Sequence, residues 1–205
     1  MRAFRACLSL WLLAAGCCLA PGMGWSQGAT LNDRDAALLE AFAALFLRLE
    51  DGHPSAPGAE PVTRTRTNDA VSFRDNGPRN RSDSQYERYV FTLKLMRPCA
   101  IRVEQAYRHT RDASGHYNRT DTFVYDFSKL RSFEFKMLRS PMGLIRIGGD
   151  KIVCSPGKAD CSDDISLAVK FTGRLDGPQS DVESFAARRT RDADILRKHC
   201  PVRTR

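Results

Sequence analysis

The chain has 205 residues, 32 basic against 24 acidic, and a formal net charge of +8. That length suits one ordinary domain with a real core rather than several. Both tryptophans, Trp11 and Trp25, fall within the first 26 residues, which argues against a tryptophan-lined sugar platform in the rest of the chain.

Met1-Arg2-Ala3-Phe4-Arg5 carries two positive charges and no acid, and an apolar run follows from Ala6 to Ala20. A basic start, roughly a dozen apolar residues and small residues beyond them spell a secretory signal peptide over 1–26. The run stops at Pro21-Gly22, short of the roughly 20 apolar residues of a membrane span. Gly24 and Ser26 supply the small residues that cleavage before Gln27 needs. The same stretch, Gly24-Trp25-Ser26-Gln27-Gly28, matches the G-x-S-x-G spelling of a serine hydrolase elbow. An elbow needs a strand before the serine and a helix after it, and here a signal segment precedes the serine. Ala14-Ala15-Gly16-Cys17 is a loose lipobox, so a lipid anchor at Cys17 is the alternative to a soluble exported protein.

An amphipathic helix is predicted within 27–52. Asn32 caps it, Asp33 and Asp35 occupy the positive first turn, and Leu38, Phe42, Leu45 and Leu49 recur on one side. Its exposed alternative is a docking helix that uses Phe42 and Phe46. Residues 53–85 are rich in Pro, Gly, Arg and Ser and read as a polar linker with room for one short strand at Val71-Ser72-Phe73.

From Tyr86 the period becomes two. Tyr89, Phe91, Leu93 and Leu95 share a face, with Arg88, Val90, Thr92 and Lys94 opposite. Ile101, Val103, Gln105 and Tyr107 then alternate with Arg102, Glu104, Ala106 and Arg108. Further strands are predicted around Phe123–Phe127, Phe133–Met137, Leu144–Ile147, Lys151–Cys154 and Ile165–Phe171, with a hairpin turn at Gly148-Gly149-Asp150. A helix over about Ser180–His199 closes the chain; Val182, Phe185, Ala186, Ala193, Leu196 and Cys200 form its apolar stripe. The expected class is α+β, with about seven antiparallel strands in an open barrel or curved sheet, a closing C-terminal helix and an extra N-terminal helix. In element order this domain, 86–205, resembles a pleckstrin-homology-like barrel, which implies an architecture and no function.

Four cysteines follow the signal segment: Cys99, Cys154, Cys161 and Cys200. An even number in an exported chain points to disulfides. Cys154–Cys161 and Cys99–Cys200 are the favoured pairs, worth roughly 2.5 and 4.7 kcal/mol by loop entropy. No histidine completes a zinc set with the C-x6-C spacing, so no metal or other cofactor is expected.

The sequence holds no phosphate-binding loop, no H-E-x-x-H and no G-x-G-x-x-G. His109, Asp112 and His116 gather at one hairpin and are the candidate set for a small hydrolase. A four-residue turn at 112–115 would place the two histidines two rungs apart. The stronger candidates are basic: Arg102, Arg108 and Arg111 near the second long strand, and Arg188, Arg191, Arg197 and Lys198 on the last helix. Side by side they would suit an anionic envelope lipid, an anionic glycan or an acidic protein. Tyr117 is the one aromatic residue among these arginines, which argues against nucleic acid. The function expected is therefore a non-catalytic, exported binding protein.

Overall fold

A computed structural model describes residues 30–55, 59–76, 86–111, 115–137, 142–155, 161–170 and 179–202. The signal segment and Cys17 lie outside the described residues. Helix α1 (Asp33–Phe42) runs into a π turn (Ala43–Leu47), and then strands β1 (Thr63–Arg66), β2 (Val71–Asn76), β3 (Tyr86–Arg97), β4 (Ala100–Arg111) and β5 (Gly115–Asp126) follow. A 3-10 turn (Phe127–Lys129) leads to β6 (Leu130–Met137), β7 (Met142–Cys154), β8 (Cys161–Lys170) and helix α2 (Gln179–His199). The class is α+β: one open, antiparallel eight-stranded sheet with a helix at each end of the chain.

Helix α1 starts as its sequence dictates. The Asn32 side chain accepts from the Asp35 amide at 2.8 Å, and the helix buries Ala36, Leu38, Leu39, Ala41 and Phe42. The π turn then stacks Phe46 on Phe42, with ring centres 4.9 Å apart. Arg48, in the left-handed region at φ 60°, ends the helical run four residues before Gly52.

Strands β1 to β5 form a meander. Its register aligns Val71, Leu93, Val103 and Phe123 in one cross-strand row and Leu95, Ile101 and Tyr125 in another. These rows form the inner face. Phe42 sits on it edge-to-face with Tyr125 at 4.8 Å and beside Phe127 at 5.8 Å. Burial of the Tyr125 hydroxyl pushes its pKa above 10.0.

After β5 the sheet turns a corner. The first part of β7 pairs with β6, from Gly143 to Gly149, while its end pairs with β5 through Val153 and Cys154. Strands β5 and β6 thus follow one another along the same edge of β7, joined by the 3-10 turn, and β8 takes the other edge. Asp126, at the corner, is 5% exposed. Burial pushes its carboxyl up, but the Ser128 hydroxyl at 2.5 Å, Arg97 at 2.6 Å and Lys129 at 3.6 Å outweigh burial and hold it below 3.8.

Two expectations change. Gly148-Gly149-Asp150 makes no hairpin; it lies inside the single strand β7, where the register against β8 shifts between Gly148 and Val153. The glycines serve close approach instead. A Cβ on Gly149 would overlap the Lys129 carbonyl oxygen and lie 2.9 Å from Ile152 Cγ1. The stretch expected to be a linker with room for one short strand at Val71-Ser72-Phe73 supplies that strand as β2, with Val71 and Phe73 in the core, and adds β1. Merging two predicted strands and gaining these two yields eight.

All four residues of β1 are exposed, so packing does not hold it. Arg64 instead reaches Glu40 at 2.6 Å, and Arg66 reaches Asp33 at 2.7 Å and the Leu31 carbonyl at 2.8 Å. The Arg64 amide donates to the Asp51 carboxylate at 2.9 Å.

Helix α2 packs on α1, the π turn and β6. It buries Ala193, Leu196 and Cys200, while Phe185 and Ala186 are half-buried. At its far end the Arg34 Nε donates to His199 Nδ1 at 3.1 Å. Burial and the neighbouring Arg34 charge hold His199 below 6.5. The disulfides join Cys99 to Cys200 and Cys154 to Cys161. The first ties the end of α2 to the β3–β4 connection; the second closes the β7–β8 hairpin. Such bonds belong to an oxidising, extracellular or periplasmic setting. Among the described residues no helix is long and apolar enough to cross a membrane.

Candidate binding surface and polar hollow

A half-open hollow of about 180 Å³ lies where α2 meets the end of the π turn. Glu40, Glu50, Asp51, Asp192, Arg64 and Arg189 line it, with Leu49 and Phe73 as apolar wall. Arg189 is 4% exposed and bonds both Glu50 and Asp192, the latter at 2.8 Å; Phe185 covers its guanidinium at 4.9 Å. Glu50 also meets Arg188 at 3.1 Å, and Arg64 spans Glu40 and Asp51. Burial, outweighing the Arg189 charge, holds the Asp192 carboxyl above 3.8. Each of these charges is already answered by a partner within the cluster. The arrangement therefore clamps α2 to the α1 end. Among the described residues no cluster of histidine, cysteine and acid could hold a metal ion.

The histidine hairpin is in a different register from the expected one. Arg111 pairs with Gly115, Thr110 with His116 and His109 with Tyr117. His109 and His116 therefore occupy successive rungs, and their side chains lie outside the described residues. Asp112 lies outside the described residues.

The basic candidates divide into two sets. On α2, Arg188 is committed to Glu50, and Arg197 pairs with Asp194 at 3.0 Å while packing over the Phe133 ring at 5.1 Å. Arg191 and Lys198 are exposed. Arg102 and Arg108 lie on β4, on the face of the sheet opposite Ile101 and Val103 and so away from α1. The side chain of Arg111 lies outside the described residues.

The sheet register gives Arg102 and Arg108 other neighbours. Lys94 stands directly opposite Arg102, Arg88 directly opposite Arg108, and Arg74 one diagonal step from Arg88. Five cations thus share the outer face of β2–β4 with one acid, Glu104, which meets Arg102 at 2.8 Å. Asp69, at the rim, takes Lys94 at 2.7 Å; that hydrogen bond leads in holding Asp69 below 3.8. Between the cations stand Ser72, Val90, Thr92, Ala106, Thr120 and Thr122, all short, and Ser72 and Thr92 bond one another at 3.2 Å.

Comparison with known proteins adds no relative. No family model, no curated protein and no solved structure matches this chain. The reading of the surface rests on its own chemistry.

Arg74, Arg88 and Lys94 were absent from the sequence-derived set. The alternation of β3 already placed Arg88 and Lys94 on the polar side of their strand. Only the pairing of β3 with β4 brings them to Arg102 and Arg108. Arg74 sits in the stretch that composition marks as linker.

Proposed function

We propose that this chain is an exported, non-catalytic binding protein that holds anionic lipid head groups against the outer face of β2–β4. The observation that carries the reading is the sharing of that face by Arg74, Arg88, Lys94, Arg102 and Arg108 with Glu104 as the one acid among them. The disulfides and the basic, apolar N-terminal segment support export through a signal peptide.

A lipid surface is favoured over a chain-like polyanion by the kind of face on offer. The cations stand on an open sheet among short side chains, and the outer-face positions from Arg88 to Lys94 and from Arg102 to Arg108 carry no aromatic ring. Single-stranded polymers use a groove and stacking rings; a layer of head groups requires neither. Each base close to an anionic bilayer contributes about 1 kcal/mol, or about fivefold in affinity.

Sedimentation with vesicles of phosphatidylcholine, with and without anionic lipid, tests this at low and high salt. Binding should require the anionic lipid and fall steeply with salt. Arg108→Gln should weaken it about fivefold, whereas Arg191→Gln on α2 should leave it unchanged. Binding that is absent, insensitive to salt, or carried by the α2 cations would overturn the proposal. Retention of a soluble anionic glycan or acidic protein in place of vesicles would do the same.

A further inference from the structure

The outer face ends at the β3–β4 turn in an irregularity. Lys94 stands opposite Arg102 and Leu95 opposite Ile101, but the next matched pair is Arg97 with Ala100. Met96 is therefore an extra residue in β3, a bulge one step beyond the Lys94–Arg102 rung. A bulge re-aims the side chain that it carries. Leu95, just before, packs against the core, and Cys99, within the turn, is buried. Met96 is 59% exposed, and among the described residues no other large apolar side chain stands out in this way.

The turn that presents Met96 is fastened on several sides. Arg97, next in the chain, donates to the Asp126 carboxylate at 2.6 Å. The Phe127 amide donates to the Cys99 carbonyl at 2.7 Å, and Cys99 is bonded to Cys200 at the end of α2. The bases around Met96 are also already matched. Lys94 meets Asp69, Arg97 meets Asp126 and Arg102 meets Glu104. This end of the face is therefore close to neutral, whereas Arg74 and Arg108, towards the other end, are exposed and have no ion pair among the described residues. Entry into an apolar layer is least opposed where charges are paired.

We infer that Met96 is the insertion point of the face: on an anionic bilayer it enters the apolar boundary beneath the head groups, while Arg74 and Arg108 stay among the phosphates. The inference rests on the lipid-binding reading above. The occupant follows from charge and depth together. An anionic bilayer answers a face of five cations with one acid, and it holds an apolar layer just below its charges. An acidic protein or a glycan answers the charge without that layer. Methionine suits the task, because it is unbranched and turns about three bonds, so it beds among acyl chains without a shaped pocket.

Sedimentation with vesicles of phosphatidylcholine and phosphatidylglycerol at low and high salt separates the two contributions, because salt screens exposed charges and leaves apolar contact intact. Met96→Ser should weaken binding about tenfold at both salt concentrations, the loss expected when most of one large apolar side chain is no longer drawn out of water. Its salt dependence should match that of the parent. Met96→Leu should bind as the parent does, whereas Arg108→Gln should make the salt dependence shallower. Depth is read with Met96→Trp, its emission compared with that of the parent. On vesicles it should shift to the blue and be quenched by lipids brominated along their acyl chains. Unchanged binding by Met96→Ser, or no blue shift while Met96→Trp is bound, would overturn the insertion and leave the charged-face reading intact. Failure of the parent to bind would remove both.

Discussion

Removal of the two disulfides in turn gives a quantitative test of what holds α2. Cys99 and Cys200 are 101 residues apart in sequence, Cys154 and Cys161 only seven. Loop-closure entropy then assigns about 4.7 kcal/mol to the long link and about 2.5 kcal/mol to the short one. Burial adds to the difference, because Cys99 and Cys200 are 8% and 2% exposed and alanines there leave a small void. The experiment is guanidinium unfolding of the oxidised protein beside Cys99→Ala/Cys200→Ala and Cys154→Ala/Cys161→Ala. The first variant should lose roughly 2 kcal/mol more than the second. It should also unfold with a steeper denaturant slope, since its unfolded chain is freed over a far longer loop. Amide exchange should quicken along α2, whose last turn loses its link to the β3–β4 connection. An equal or larger loss from Cys154→Ala/Cys161→Ala would refute the loop argument and make local geometry at the β7–β8 hairpin the main term.

Asp126 should make the protein acid-sensitive in a definite window. Its folded carboxyl titrates below 3.8, so its contribution is complete above that value and lost as pH falls through the lower folded value. The stability gap between the parent protein and Asp126→Asn, followed by urea midpoints, should therefore narrow as pH falls from about 4 to about 2; a constant gap would contradict the assignment. At Gly149 an added Cβ meets backbone, not a mobile side-chain tip. Gly149→Ala should lower stability by roughly 2–3 kcal/mol, near the upper end for overpacking, and a thermal midpoint unchanged from the parent would show that β7 can shift aside.

What the sequence discloses and what it conceals divide along one physical line. The inner-face rows are legible because Tyr89, Phe91, Leu93 and Leu95 announce a period of two within a few residues, and the Asn32 cap is equally local. The order of β7 is not, because two adjacent glycines that spell a turn are also what lets a strand pass against the Lys129 carbonyl. Nor is β1, whose four exposed residues carry no apolar signal and are held by Arg64 and Arg66 reaching acids on α1. The candidate surface follows the same division. Arg102 and Arg108 are visible along one strand, but their opposition to Lys94 and Arg88 is a property of pairing between strands. The ion cluster around Arg189 links positions 139 residues apart, a separation that no local pattern encodes.

The Asp51 carboxylate on the Arg64 amide has an outcome for how copies of this molecule treat one another. A bare strand at the margin of a sheet invites a neighbouring chain to extend it, and long stacks grow by repetition of that step. At β1 an intruder would have to displace the Asp51 carboxylate from the Arg64 amide before it could take that donor. This rim of the protein therefore resists fibrous growth even when the molecule is crowded.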